Sequence, residues 1–312
     1  MARHVKISTI GAVALTVHID CNPQEIINQM KEYWRREITQ VLPDKPDIIV
    51  LPELCDSPKD FTPGKLLNYY LARKDQMQKF FAEIAMNNHC YLVYPAARQL
   101  KDKTWRNSCT ILDRQGNIAG IYDKNYVVID ETTTYGLLCG AEAPIIDCDF
   151  GRLACAVCFD INFDELRLRY AVAKPDLIVF PSMTHGGLMQ SYWAYSCRCH
   201  FVSAVGISSI RSEIRNPHGR VIASSTDHFD FVTATINLDH CFVHLDCNWE
   251  KLKALKEKYG SDVEIYEPGH IGSVLVSSNI RNISAKQMLA EFSIELLDDY
   301  LNRSLEHRRL NH

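Results

Sequence analysis

The sequence predicts a layered α/β fold in which helices cover mixed β-sheets. Strand-like apolar runs alternate with amphipathic helical segments over most of the 312-residue chain, which is the pattern of an α/β protein. Turn sequences at 114–117 (Arg-Gln-Gly-Asn) and 216–219 (Asn-Pro-His-Gly) each separate two strands, as in hairpins. The strands therefore form a mixed sheet or two sheets, and not one parallel sheet.

The predicted elements follow from local patterns along the chain. Strands are predicted where short apolar runs lie between turn residues: Val5–Val17, Asp47–Leu54, Cys90–Ala97, Ser108–Leu112, Ile118–Tyr122, Arg152–Cys158, Asp176–Pro181, Phe201–Ile210 and Phe231–Leu238. Helices are predicted where apolar residues recur every three or four positions: Gln24–Val41, Gln76–Asn87 and Phe163–Lys174.

The chain changes in character after residue 240. Trp249–Tyr259 is a charged amphipathic helix, and Ala285–Leu305 is a second helical stretch with an apolar stripe. We predict a domain over residues 1–240 and a C-terminal extension, a helical arm, over residues 241–312. An apolar face must be covered, so the extension packs either on its own domain or on a second copy of the chain.

Composition and charge exclude several classes of protein. The net charge is −4, from 34 Lys and Arg against 38 Asp and Glu, so nucleic acid is not an expected partner. No apolar window reaches the ~18 residues needed to span a bilayer, and no membrane partner is expected. Polar residues interrupt the first apolar run, which favours a core strand over a signal peptide. We expect a cytoplasmic protein.

The twelve cysteines are interpreted as reduced thiols. Several lie inside apolar runs, where cysteine behaves as a small buried hydrophobe. The close pair Cys197 and Cys199, with His200 beside it, lacks the spacing of a zinc site. We expect neither a metal nor an organic cofactor.

Three strand ends carry residues that can do chemistry. Glu53 closes a continuous apolar strand, where α/β folds place functional groups, although a structural glutamate fits the same pattern. Lys124 follows another strand, and a surface lysine is the alternative. Cys158 lies where a strand meets a helix; we expect an exposed thiol there, with a pKa that the helix N-terminus lowers. The alternative is one more buried cysteine.

Together, in this order, these residues resemble the nitrilase (carbon–nitrogen hydrolase) superfamily over roughly residues 5–240. The segment 158–165 (Cys-Phe-Asp-Ile-Asn-Phe-Asp-Glu) is similar to the family's Cys-x-Asp-x-x-Phe-Pro-Glu motif. Leu51-Pro-Glu53 and Asp123-Lys124 match the other two motifs. Asp164 replaces the usual proline, and Asn162 stands where many members have arginine. The resemblance is to a less characterised, amidase- or carbamoylase-like branch of this superfamily.

The resemblance implies a four-layer α–β–β–α sandwich, usually paired with a second copy as a homodimer or higher oligomer. It also implies Glu53 as general base, Cys158 as nucleophile and Lys124 as the donor that stabilises an oxyanion. A further glutamate should orient Lys124, with Glu131 the natural match and Glu142 the competing one.

Further site residues are predicted around this triad. Phe159 is a supporting residue, and His185 and Tyr126 are candidate residues of the substrate pocket. The expected function is hydrolysis of an amide or N-carbamoyl bond of a small molecule. Nitrile hydrolysis by the same triad, or a nitrilase-fold scaffold or sensor without turnover, are the alternatives. A papain-like protease is disfavoured because it needs a histidine near Cys158.

Overall fold

The computed structural model describes residues 2–18 and 20–311. The strands of these residues are β1 (His4–Ile10), β2 (Ile48–Val50), β3 (Tyr91–Gln99), β4 (Trp105–Leu112), β5 (Ile118–Asp123), β6 (Ile146–Cys148), β7 (Gly151–Cys155), β8 (Leu177–Ser182), β9 (His200–Val205), β10 (Glu213–Arg215), β11 (Val221–Ser224), β12 (Phe231–Asn237), β13 (His240–His244), β14 (Val263–Tyr266) and β15 (Ser273–Ser278). Their helices are α1 (Pro23–Thr39), α2 (Pro63–Arg73), α3 (Gln76–Asn88), α4 (Ile129–Thr133), α5 (Asp164–Ala173), α6 (Leu188–Cys197), α7 (Trp249–Tyr259), α8 (Ala285–Glu291) and α9 (Leu297–Leu310).

The chain divides into two compact units. The larger comprises Val5–Ile236, and the smaller combines residues 2–4 with residues 237–311. Each unit has its own hydrophobic core.

The first sheet of the larger unit has the strand order β12-β1-β2-β3-β4-β5. Strands β1, β2 and β3 are parallel, whereas β3, β4 and β5 are antiparallel neighbours. The central strand β2 is buried along its whole length, which explains its continuous apolar sequence. The predicted turn at 114–117 joins β4 to β5, and Gly116 supplies the positive φ of 79° that the turn requires.

The second sheet has the order β11-β10-β9-β8-β7-β6, with β7, β8 and β9 parallel at its centre. The predicted turn at 216–219 joins β10 to β11 as an antiparallel hairpin. The mixed sheets predicted from the sequence are therefore present.

The two sheets face each other between layers of helices. The Thr9 hydroxyl on β1 donates a hydrogen bond of 2.7 Å to the Ser203 carbonyl on β9. Buried residues of α1 and α3 share one core with the first sheet. On the second sheet, the Tyr170 hydroxyl of α5 donates to the Cys155 carbonyl over 2.6 Å, and Trp193 of α6 is buried. The α–β–β–α sandwich predicted from the sequence is confirmed.

The smaller unit differs from the expected helical arm, because an antiparallel sheet β13-β15-β14 forms its centre. The helical stretch predicted over Ala285–Leu305 is not continuous. The segment forms two helices, α8 and α9, with a break near Ser293, which has a φ of 50°. Met288, Leu289 and Ile294 belong to this unit's own core. None of the helices in residues 2–18 and 20–311 has both the length and the apolar character that a membrane crossing requires.

Candidate active site

Glu53 follows the end of β2 in the middle of the first sheet. The Leu51 amide donates to the Val93 carbonyl at 3.3 Å, and the Cys55 amide donates to the Pro95 carbonyl at 3.0 Å. The segment after β2 therefore remains hydrogen-bonded to β3 on both sides of Glu53. Leu54 takes a positive φ of 47°. The Glu53 side chain is buried at this bend.

An ion pair holds the loop after Glu53. The Arg73 guanidinium of α2 contacts both carboxylate oxygens of Asp56, at 2.8 and 2.7 Å, and both side chains are buried. The Tyr94 hydroxyl also donates to Asp56. Removing one partner of such a buried pair typically costs about 3–5 kcal/mol. The loop is therefore tied firmly to α2 and β3.

Lys124 follows β5 and turns inward, with 1% of the residue exposed. Its amide donates to the Asn107 carbonyl at 2.8 Å, and its carbonyl accepts from the Gly140 amide at 2.7 Å. These bonds clamp the backbone on both sides of the residue. The alternative of a surface lysine is wrong for this position.

Two carboxylates flank the Lys124 ammonium group. Its Nζ donates to Glu53 Oε1 at 2.8 Å and to Glu131 Oε2 at 2.6 Å. Burial alone would lower the pKa of Lys124, but the charges of Glu53 and Glu131 raise it above its ordinary value. The lysine is thus a fixed cation. Glu142 has a side chain that is 89% exposed and lies near Arg169, so Glu131 is the glutamate that contacts the lysine.

Asn107 links the same two carboxylates. Its Nδ2 donates to Glu53 Oε1 at 2.8 Å and to Glu131 Oε1 at 2.9 Å. Glu131 also accepts from the Val128 amide at 2.9 Å, which fixes it at the start of α4. Asn107 was not among the residues predicted from the sequence. Its position directly before the predicted strand Ser108–Leu112 is a signal that could have identified it, because a buried amide needs hydrogen-bond partners.

Cys158 lies three residues after the end of β7, where the chain enters a 3₁₀ turn over Cys158–Asn162. Its φ of 47° is unusual for a residue with a side chain and is typical of strained functional turns. The residue is only 8% exposed. The first α-helical residue is Asp164, so a full helix does not begin at the thiol.

The expectation of an exposed Cys158 thiol with a lowered pKa is wrong. Burial and the nearby charge of Glu53 raise the pKa of Cys158 to about 12, against the opposing effects of Lys124, the Met183 backbone and the Ser182 hydroxyl. The thiol therefore lies within the electrostatic reach of both Glu53 and Lys124. It is protonated at neutral pH and needs a base. Ser182 and Met183, at the end of β8, were not predicted to contact it.

Asp160 holds the turn that carries Cys158. Its carboxylate accepts from the Tyr122 hydroxyl at 2.7 Å, the Val157 amide at 2.8 Å and the Tyr126 amide at 2.8 Å. Burial raises the pKa of Asp160 to about 6, although these three donors favour the ionised form. Asp160 thus joins the cysteine turn to the loop that follows Lys124.

The other predicted residues make contacts of their own. The Tyr126 ring stacks on the Phe163 ring with centroids 3.8 Å apart, and the Phe159 ring packs edge-on against the Phe163 ring with centroids 5.2 Å apart. His185 lies in the loop after β8, with Nε2 3.2 Å from Glu213 Oε2. In the part of the chain that the structure describes, no three His, Cys, Asp or Glu side chains are grouped to hold a metal ion.

A four-layer sandwich that brings Glu53, Lys124 and Cys158 together is the arrangement that the resemblance to the nitrilase superfamily implies. A family model described as carbon–nitrogen hydrolase matches residues 12–241. The chain belongs to this family, within the nitrilase superfamily, and the resemblance stated from the sequence is confirmed.

Two relatives agree with this assignment. A probable nitrilase of Schizosaccharomyces pombe is 24% identical over 163 residues, which are 51% of this chain and 58% of that protein. Nitrilase homolog 2 of Dictyostelium discoideum is 21% identical over 218 residues, covering 62% of this chain and 65% of that protein. The chain spans less than two thirds of the length of these two curated relatives.

Solved structures share the fold at low sequence identity. The NitFhit protein of C. elegans aligns with a TM-score of 0.65 at 15% identity, covering 94% of this chain and 98% of that one. An amidase from Nesterenkonia sp. aligns with a TM-score of 0.63 at 15% identity, covering 76% and 91% of the two chains.

Proposed function

We propose that this protein hydrolyses the carbon–nitrogen bond of a small amide or N-carbamoyl compound through a thioester on Cys158. The observation that carries the proposal is the buried Lys124 ammonium, held at 2.8 Å from Glu53 and 2.6 Å from Glu131, beside a buried thiol whose pKa responds to Glu53 and Lys124. The burial of all three side chains, Glu53, Lys124 and Cys158, supports their use as base, cation and nucleophile of one reaction.

In the first half of the reaction, Glu53 takes the Cys158 proton as the sulfur attacks the carbonyl carbon. The raised pKa of Cys158 means that this transfer accompanies the attack and does not precede it. The oxygen gains negative charge, which the fixed Lys124 cation stabilises. The carbon–nitrogen bond then breaks, and the amine leaves with the proton held by Glu53.

In the second half, Glu53 takes a proton from water while the water oxygen attacks the thioester carbonyl. The carbon–sulfur bond breaks, the acid leaves, and the sulfur of Cys158 recovers the proton. Asn107 and Glu131 hold the base Glu53 and the cation Lys124 at the same positions in both halves of the reaction. In a glutamate-to-glutamine mutant of the Nesterenkonia amidase, the acetamide moiety of fluoroacetamide is added covalently at the active site cysteine, which supports the same role for Cys158.

The test is the release of ammonia or amine from a panel of amides, N-carbamoyl compounds and nitriles. We expect turnover of amides or N-carbamoyl compounds that Cys158→Ala abolishes and Cys247→Ala retains, because Cys247 is an exposed thiol in the smaller unit. Turnover confined to nitriles would favour the nitrilase alternative. No turnover of any compound by a folded protein would favour the scaffold or sensor.

A further inference from the structure

A pocket of about 350 Å³ lies beside the group formed by Glu53, Lys124 and Glu131, and it reaches that group through Glu131. Glu131, which contacts Lys124, forms part of its wall, as does Leu54, the residue after Glu53. Side chains of α2 and of the loop after α4 form the other sides, among them Leu66 and Tyr135. The volume is within the range of small-molecule sites.

The wall of this pocket is mainly apolar and aromatic. Phe61, Tyr70 and Trp105 line it, and the rings of Tyr70 and Trp105 lie 5.5 Å apart at 35°. The Tyr70 hydroxyl is already hydrogen-bonded to Ser57 at 2.6 Å. The wall therefore offers carbon surface, which favours a hydrophobic group.

The charged side chains in the wall are both acidic. Asp60 and Glu131 line the pocket, and no Lys, Arg or His does so among the described residues. Arg73 lies behind the Tyr70 ring at 4.9 Å, but Asp56 engages its guanidinium. Lys124 offsets the charge of Glu131 at 2.6 Å, so a carboxylate placed in this pocket would meet the like charge of Asp60 and no Lys, Arg or His side chain of the wall.

We infer that the pocket binds an uncharged, apolar alkyl or aryl substituent of the substrate and excludes substituents that carry a carboxylate. The inference rests on the proposed function and narrows it to amides of apolar acids or of apolar amines. An N-carbamoyl amino acid or the monoamide of a dicarboxylic acid does not fit. Burial of each methylene group should raise kcat/KM by about fourfold until the pocket is filled.

Two sets of compounds test the inference and separate the two ends of the substrate. On the acyl side, acetamide, hexanamide and adipamic acid are compared. On the amine side, N-methylacetamide, N-butylacetamide and N-acetyl-4-aminobutanoic acid are compared. We expect at least a tenfold advantage in kcat/KM of the long apolar compound over both the short one and the carboxylate in one set. The set that shows it identifies the end that enters the pocket.

A matched pair of variants connects this preference to the pocket. Leu67 and Leu71 are both on α2 and are 44% and 47% exposed, but only Leu67 lines the pocket. Leu67→Lys should lower kcat/KM for the long apolar amide about tenfold and improve the carboxylate compound. Leu71→Lys should change neither. Both variants should unfold at the temperature of the wild type.

The inference is overturned if each carboxylate compound is hydrolysed as well as its apolar partner, or if both variants behave alike. If no amide is hydrolysed, the proposed function fails separately, and calorimetric titration of the wild-type protein still tests the pocket. In one of the two sets, the long apolar compound should then bind at least tenfold more tightly than its carboxylate partner. Equal binding of these two compounds in both sets would overturn the inference on its own.

Discussion

At the scale of single residues, the chemistry of Cys158 depends on its burial. The sequence placed this cysteine at a strand end, and the structure adds the positive φ and the 8% exposure. A helix N-terminus would have lowered the pKa of the thiol, whereas burial and Glu53 raise it. Burial by residues distant in sequence decides this sign, with a smaller contribution from the charge of Glu53, and no local motif contains these residues.

The pKa of about 12 for Cys158 predicts how its alkylation depends on pH. The reactive thiolate is the minor form, so its population should rise about tenfold with each pH unit below the pKa. The rate of iodoacetamide labelling at Cys158 should therefore keep rising between about pH 7 and pH 10. Peptide mass spectrometry measures this labelling at each pH. A plateau in that range would contradict the raised pKa.

Lys124→Ala should impair both stability and turnover. The change leaves Glu53 and Glu131 buried without their cation, which should cost about 3–5 kcal/mol of the free energy of unfolding. It also deletes the proposed oxyanion donor, which should reduce kcat by about 10²–10³ in the folded fraction. Urea unfolding and ammonia release measure the two effects. Lys74→Ala, at an exposed lysine, is the control, and near-normal turnover of Lys124→Ala would contradict the assigned role.

At the scale of elements, strand ends were predictable and several helices were not. The 3.6-residue pattern identified α1, α3 and α5 because each buries one face on a sheet. It missed α2, which begins with Pro63 and Gly64, and α6, which follows two glycines, because these residues are typical of turns. Since α2 forms part of the pocket wall, the missed helix is also a missed part of the candidate site.

The first strand was predicted too long. The apolar run continues to Val17, but β1 ends at Ile10. At Gly11 the chain passes so close to β9 and the loop before β10 that an added Cβ would lie 2.5 Å from Ser212 Oγ and 2.6 Å from the Val205 carbonyl. A contact between segments so distant in sequence cannot be predicted from hydrophobicity.

The turn after β7 predicts a structural role for Asp160. An asparagine side chain accepts hydrogen bonds only through its oxygen, whereas the Asp160 carboxylate accepts through both oxygens. In Asp160→Asn, at least one of the three groups that donate to Asp160, such as the Val157 or the Tyr126 amide, therefore loses its acceptor. Asp160→Asn should therefore lower the free energy of unfolding by about 1–3 kcal/mol and reduce kcat. Asp164→Asn is the control, because that side chain is largely exposed. Equal behaviour of the two variants in urea unfolding and turnover would contradict this role.

At the scale of the whole molecule, the pairing of two copies stays a prediction. The apolar stripe over Ala285–Leu305 is not wholly available for pairing, because Met288 and Leu289 pack into the core of their own unit. The exposed apolar side chains of α9, Leu301, Leu305 and Leu310, still offer a face for a second copy.

This face makes the predicted dimer testable without disturbing a core. Light scattering at micromolar concentration should give the mass of two or more chains. Leu301→Glu combined with Leu305→Glu should shift it towards one chain, because burying two carboxylates in an apolar interface is unfavourable. Glu306→Gln on the same helix is the control. A wild-type protein with the mass of one chain would contradict the prediction.

The central claim is that Cys158 carries the acyl group during turnover. Rapid acid quenching of the enzyme with a hydrolysed amide, followed by peptide mass spectrometry, measures it directly. We expect the mass of the acyl group on the Cys158 peptide of the wild-type protein, and hydroxylamine should remove it. The Cys158→Ala variant should show neither the adduct nor turnover. Full turnover by Cys158→Ala, or an adduct on another residue, would contradict it.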